Sequence, residues 1–244
     1  MLISIIIPTL DEAATIGATL AAVTRLSGSW EAIVVDGGSK DATVELARAG
    51  GARVVAGARG RGAQMHAGAC AARGDAFWFL HADTLPPAAA LERIAAALAA
   101  DPHAVGGNFA IRFDGAERPA RFLTWLYPRL RRLGLCYGDS GFFVRRDAYE
   151  QVGGFQAFPI FEDLDLLRRL RRRGRFVHLD AEVVTSARRF AGRSFTLTFA
   201  RWSILQGLYW LGVHPRTLAR LYAPIRAHGK RRRAPRADER RADS

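Results

Sequence analysis

The stretch Leu2-Ile3-Ser4-Ile5-Ile6-Ile7-Pro8-Thr9-Leu10-Asp11-Glu12 decides the fold. Its first six residues are nearly all apolar and β-branched, the pattern of a strand covered on both faces; a strand wetted on one side would alternate. The run stops at Pro8, and Ala13, Ile16, Leu20 and Val23 then recur at helical spacing. The same rhythm returns three times. Ala32-Ile33-Val34-Val35 precedes a helix expected over 41–49, Ala52-Arg53-Val54-Val55 one over 62–72, and Ala76-Phe77-Trp78-Phe79-Leu80 one over 88–100. Strand and helix in strict alternation imply right-handed crossovers and a parallel sheet, so the first hundred residues read as a doubly wound α/β unit.

Beyond residue 100 the rhythm changes. Strands are expected at 105–113 and 141–145 with a helix over 118–133 between them, then a helix over 162–173. Short strands at 176–179 and 182–185 follow, and Ser194 can cap a helix running to about 211. This mixed half joins the same sheet or covers its open end. The reading is one domain over 1–227, with halves at 1–100 and 101–190 and C-terminal helices at 194–224. From residue 228 the chain is polar and Arg-rich, and a disordered tail is expected.

With 244 residues, 49% of them hydrophobic, the chain can bury a proper core and is not globally disordered. Cys70 and Cys136 are too few for a disulfide framework or a Cys-type zinc site. No basic region precedes the first apolar run and no small-residue cleavage site follows it, so a cytoplasmic location is expected, with the inner face of the membrane as a peripheral variant. The formal net charge is +13. Residues 225–244 carry eight basic and three acidic side chains, and much of the remaining excess lies in the run from Arg168 to Arg175. Only Lys40 and Lys230 are lysines, so composition bias explains part of the charge; no specific nucleic acid is implied.

In an open parallel sheet, ligands sit beyond the carboxyl ends of the strands. Those ends are polar here: Pro8-Thr9-Leu10-Asp11-Glu12, Asp36-Gly37-Gly38-Ser39-Lys40-Asp41, Arg59-Gly60-Arg61-Gly62 and His81-Ala82-Asp83-Thr84. They are expected to bring Glu12, Asp36, Arg61 and Asp83 around one crevice, with Ser39 and Asp41 capping the next helix. Competing motifs fail. There is no Gly-x4-Gly-Lys-Ser/Thr, Gly60-Arg61-Gly62 has Met65 where a dinucleotide fingerprint has its third glycine, and Gly138-Asp139-Ser140-Gly141 lacks the spacing of a nucleophilic serine elbow.

Ile6-Ile7-Pro8-Thr9-Leu10-Asp11-Glu12, Val34 to Thr43 with its Asp36-Gly37-Gly38-Ser39, the Asp83 strand end, Gly138-Asp139-Ser140-Gly141-Phe142 and Phe161-Glu162-Asp163 together resemble the ordered motifs of family 2 glycosyltransferases with the GT-A fold. Residues 79–84 and the compact C-terminal end are similar to the small bacterial transferases associated with radical-SAM and selenodomain proteins. The resemblance implies a nucleotide-sugar donor, UDP- or GDP-linked, held by Pro8, Thr9, Glu12, Asp36 and Gly37. It implies Asp83 on a divalent cation, Mg²⁺ or Mn²⁺, and Asp163 as general base for inversion, with Glu162 beside it and Asp139, Ser140 and Gly141 toward the acceptor. Arg61, Arg188 and Arg189 are the diphosphate candidates, since Arg forks bind phosphate oxygens bidentately. The family's metal motif is acidic at its first and third positions. Position 81 is His, which together with Ala82 is assigned to the nucleotide side; its imidazole could also join a metal site or be structural.

Two rival readings remain at this level: a sugar-phosphate nucleotidyltransferase, which would lack its usual Gly-rich, Lys-bearing loop, and a basic membrane- or RNA-binding protein with a vestigial site. The acceptor could be a lipid phosphate, a saccharide or a small molecule. Residues 195–213 are apolar nearly all round, yet short of the roughly 20 residues of a spanning helix and interrupted by Arg201. Such a helix must bury itself, and packing in the core or against a second copy of the chain is favoured over the bilayer surface.

Overall fold

The structure is a computed structural model that describes residues 1–115, 117–132, 138–186 and 195–222. Strand β1 (Ile3–Thr9) is buried along almost its whole length, as its unbroken apolar run demands. It lies between β2 (Trp30–Asp36) and β4 (Ala76–Phe79), parallel to both, and β3 (Arg53–Ala56) pairs parallel to β2. Helices α1 (Ile16–Val23), α2 (Thr43–Ala49) and α3 (Arg61–Ala71) make the crossovers.

The second half completes the same sheet rather than forming a lid. After β5 (Thr84–Leu85) and α4 (Ala90–Ala100) come β6 (Ala104–Phe113), α5 (Arg118–Arg132), a single 3₁₀ turn at Gly138–Ser140, β7 (Phe142–Arg145) and α6 (Arg146–Gln151). Then follow α7 (Glu162–Leu170), β8 (Arg175–Thr185), α8 (Phe195–Trp210) and α9 (Pro215–Tyr222). The sheet order is β3-β2-β1-β4-β7-β6-β8-β5, with β7 antiparallel to both β4 and β6. The expected α/β architecture, parallel first and mixed after, is the observed one.

Boundaries differ where polar residues interrupt a pattern. The two short strands expected at 176–179 and 182–185 are one strand, because the ladder to β6 continues through an irregularity between Asn108 and Ala110. Asp180 is turned out to solvent there, where it breaks the apolar run without ending the strand. The helix expected to reach 173 stops at Leu170. Ser194, Arg188, Arg189 and the tail lie outside the described residues.

Apolar clusters cover both faces of the sheet. One is built with Ile16 and Leu20 of α1 and Leu91 and Ile94 of α4; the other with Met65 and Ala69 of α3, Tyr149 of α6 and Leu166 and Leu170 of α7. Helix α3 sits unusually close to the sheet, since a β-carbon at Gly68 would overlap the Ile6 side chain. A third cluster joins Ile160, Phe161 and Leu164 to Leu205 and Tyr209 of α8 and Leu218 of α9.

Candidate active site

Register puts Thr9 beside Asp36 at the carboxyl ends of β1 and β2. Asp36 turns its carboxylate onto its own loop: Oδ2 accepts the N–H groups of Gly38 (2.9 Å) and Ser39 (3.0 Å), and Oδ1 accepts the Ser39 hydroxyl. Burial works against its charge but is outweighed by the Ser39 hydroxyl and these amides, so Asp36 is held below the usual carboxylate range. A carboxylate has about four lone-pair sites, so much of the capacity expected for a nucleoside base is spent on shaping the loop.

That loop is stitched to the one after β1. The Asp11 N–H donates to Ser39 Oγ (2.9 Å), the Lys40 N–H to Asp11 Oδ1 (2.8 Å), the Glu12 N–H to Thr43 Oγ1 (2.8 Å) and the Ala13 N–H to Asp41 Oδ2 (3.1 Å). Asp11 adopts a left-handed φ of 55° to make these bonds, a strained choice for a non-glycine residue. Asp41 receives the Thr43 N–H (3.1 Å) and does cap α2. Ser39 does not; it bridges the two loops. The Glu12 carboxylate accepts the Thr15 hydroxyl (2.9 Å) at the start of α1. Pro8 and Gly37 are half-buried, and the Gly37 N–H donates to the Thr9 carbonyl (2.9 Å).

Gln64 was invisible in the sequence. It is buried at 4% exposure, and its Nε2 donates to the carbonyls of both Thr9 (2.7 Å) and Val35 (2.8 Å), clamping β1 to β2 where the loops leave. Nothing distinguishes a helical Gln of this kind from a solvated one until the helix is docked. Gln64→Leu removes one donor from each of two buried carbonyls, which keep the Gly37 N–H and the Thr9 hydroxyl, so a loss of about 1–3 kcal/mol in urea unfolding is expected, together with weaker nucleotide binding.

Three residues earlier on α3, and so on the same face, Arg61 meets the other half of the fold. Its Nε–H donates to Glu162 Oε1, and its guanidinium lies 4.0 Å from Asp163 Oδ2. Gly62 permits this approach: a β-carbon there would stand 3.1 Å from Glu162 Cβ and 3.0 Å from the Gln156 carbonyl. Helix α3 therefore ties the β1–β2 loops to the acidic start of α7. Glu162 is 2% exposed, and Arg61 is its ion-pair partner. Asp163 accepts the Gly138 N–H at Oδ2 (2.7 Å) and the Leu164 N–H at Oδ1 (2.8 Å). Burial first, then the negative field of Glu162, push its carboxyl up to about 6, with Arg61 opposing; Asp139 adds to the rise. The Arg61 guanidinium is held charged by Glu162 and Asp163 against its own burial.

Phe161, just before this pair, has φ 60° and is buried against Trp202 and Tyr209 of α8, with ring centroids at 5.8 and 5.2 Å. Its packing offsets the strain of a left-handed phenylalanine and fixes where α7 begins. The 3₁₀ turn is fixed from the opposite side. Asn108 Nδ2 donates to Ser140 Oγ (3.0 Å), and the His178 ring Nδ1 stands 2.7 Å from Asn108 Oδ1. Burial, aided by Arg131 and Arg171, lowers His178 to about 4, so the ring is neutral and Nδ1–H is the donor. Gly141 accepts the Trp78 indole N–H at 3.1 Å. Asn108, a polar residue inside an apolar strand, carried a signal that sequence reading passed over.

The His81-Ala82-Asp83 segment leaves β4 beside β1. The Thr19 hydroxyl donates to the Ala82 carbonyl (2.8 Å), the Ser186 N–H to the Asp83 carbonyl (3.2 Å), and Ala82 itself is buried in the core. Among the described residues no three His, Cys, Asp or Glu side chains gather closely enough to hold a metal by themselves. The Arg168–Arg175 run is mostly solvated, although only Arg168 and Arg169 lie on α7, where they pair with Asp165.

The glycosyl transferase family 2 model matches residues 4–153, which span β1 to the end of α6. The chain belongs to that family. The fold is shared with TarS of S. aureus in complex with UDP-GlcNAc (TM-score 0.62, 16% identity, 80% of this chain and 61% of that one). It is shared too with the mannosyltransferase PcManGT of Pyrobaculum calidifontis in complex with GDP-Man and Mn²⁺ (0.62, 20%, 84% and 61%). Glucosyl-3-phosphoglycerate synthase of Mycobacterium tuberculosis, in complex with Mn²⁺, UDP and glucosyl-3-phosphoglycerate, is similar over more of its length (0.60, 22%, 87% and 80%). The chain thus spans about 61% of the TarS structure. Comparison with curated protein sequences finds no match.

Proposed function

We propose that this family 2 chain transfers a sugar from a nucleoside-diphosphate donor to an acceptor hydroxyl by single displacement, with inversion at the anomeric carbon. The observation that carries the reading is the buried Arg61–Glu162–Asp163 group, linked through α3 to the loops that end β1 and β2. Family 2 membership and neighbours solved with UDP- and GDP-linked ligands support a nucleotide-sugar donor.

In this reading Thr9, Asp36 and Gly37 face the nucleoside, and Asp83 faces the diphosphate. The acceptor oxygen forms its bond to the anomeric carbon as the bond to the diphosphate breaks and its electron pair leaves with the nucleotide. Asp163 takes the hydroxyl proton. A carboxyl pushed up to about 6 is still mostly ionised at neutral pH yet basic enough to accept it. Arg61 and the Gly138 N–H hold the carboxylate in place, and Glu162 orients Arg61. Asp139 and Ser140 stand on the acceptor side.

A hard cation held mainly by donor phosphates asks for only one or two protein carboxylates, so Asp83 fits such a site although the described residues form no protein cage. When bound, Mg²⁺ or Mn²⁺ supplies positive charge to the leaving diphosphate. The test is a thermal-shift series with UDP and GDP, each with Mn²⁺ or with chelator. One diphosphate should raise the melting temperature in Mn²⁺, and chelator or Asp83→Ala should shrink the rise. Equal shifts with and without chelator would remove the metal, and no shift from any nucleotide would remove the donor.

A further inference from the structure

Helix α8 packs by one face only. Leu205 and Tyr209 are buried against Phe161 and its neighbours. The opposite face is wet: its exposed residues are Thr196, Leu197, Ala200, Ser203, Ile204 and Trp210, none of them charged, and the half-buried Arg201 at its edge donates to the Leu221 carbonyl. Leu197 (72% exposed), Ile204 (63%) and Leu211 (83%) recur every seven residues, two turns apart, and so form one stripe. In a chain of net charge +13, six exposed residues of one helix with no charge among them and a single arginine at their edge are a patch that calls for a covering surface. On α5, Phe122 packs edge-on against Phe195 and Phe199, which lie against the core, and stacks on Trp125, which is exposed. Its flank is cationic. Arg129 lies over the Trp125 ring at 3.9 Å, and Arg216 and Arg220 are exposed on α9 beside Leu221.

We propose that this face docks on an anionic lipid surface, α8 lying along the interface with Ile204, Trp210 and Leu211 inserted and the arginines on headgroup phosphates. Apolar stripe and basic rim are the complement of a bilayer interface carrying negative charge. A second copy of the chain fits worse: a two-fold contact through the stripe would bring Arg216 and Arg220 toward their own like charges. At about 24 Å the helix is too short to cross a bilayer, and no helix among the described residues is long and apolar enough to do so. The buried face of α8 holds Phe161, so docking would fix the Glu162–Asp163 pair at a set height over the lipid headgroups. The inference goes beyond the transfer reading, and nucleotide binding serves as a separate readout.

The full chain is sedimented with phosphatidylcholine vesicles with and without phosphatidylglycerol. The expected result is partition onto the anionic vesicles only, weakened by salt, with tryptophan fluorescence quenched by brominated acyl chains. Ile204→Glu with Leu211→Glu should lower the partition coefficient about a hundredfold, roughly tenfold for each buried side chain lost, while the melting temperature and its nucleotide-dependent shift are retained. The serine versions should show a smaller loss in the same direction. The proposal is overturned if the parent chain ignores anionic vesicles, or if the glutamate variant binds them equally, which would leave charge alone. It is equally overturned if a dimer appears in solution that Ile204→Glu abolishes. Should the glutamate variant fail to fold, quenching of the parent chain decides: unquenched fluorescence on anionic vesicles sinks the proposal.

Discussion

Asp163→Asn should reduce turnover by about two to four orders of magnitude while leaving nucleotide-diphosphate affinity nearly unchanged, the range expected when a general base is removed. Asn keeps the shape and can still accept the Gly138 N–H, so the loss isolates proton transfer from positioning. The parent enzyme should gain activity as pH rises through about 6, because Asp163 works only when ionised. The same group links to stability in the opposite sense. Its carboxyl titrates higher in the fold than in the unfolded chain, so the folded state holds the extra proton between about pH 4 and 6. The stabilisation that the protonated form contributes is therefore lost as pH rises through that window, on the order of 2–3 kcal/mol. Urea unfolding of parent and Asp163→Asn at both ends of the window should show the Asn variant gaining relative stability at the higher pH. Turnover of the Asn variant equal to the parent's would take Asp163 out of the mechanism.

Arg61→Met tests the other half of the cluster. It keeps the stem that packs at the start of α3 and removes the cation that Glu162 and Asp163 share. Breaking a buried pair by deleting one partner costs about 3–5 kcal/mol. Arg61 is about one-third exposed, so solvent relieves part of that, and a loss of about 2 kcal/mol at neutral pH is expected. The loss should shrink in acid as Asp163 takes up its proton. The activity limb should move to higher pH, because the charge that favours ionised Asp163 is gone. A limb that stays near 6 would show that Arg61 does not govern Asp163, whatever happens to stability.

Much of the architecture was legible in order of sequence. A saturated apolar run such as Ile3 to Ile7 admits few places other than the centre of a covered parallel sheet, and the helical recurrence after each strand fixes the crossovers. Strand-end residues could be named for the same reason: Asp36 and Asp83 follow apolar runs directly. Legibility failed where a role depends on what docks against a side chain. Arg61 read as a phosphate ligand and is engaged with Glu162. Asp36 could be named toward the nucleoside, but not that its oxygens also hold the N–H groups of Gly38 and Ser39. Gln64 gave no signal, since a buried clamp and a solvated glutamine look alike along a helix. The outer stripe of α8 was written in the sequence as an apolar helix, yet which half of it is covered was not.

The sequence by itself determined the alternation of strands and helices, and with it the edge of the sheet at which polar residues collect, because local period and chain chirality are short-range properties. Only the tertiary structure decided which of those residues meet. The ion pairs of Arg61 with Glu162 and Asp163 span about a hundred positions, and their strength is set by burial and by the close approach of α3 that Gly62 permits. Burial and proximity belong to the packed chain and to no stretch of it, which is why the proton affinity of Asp163 could not be read from the residues around it.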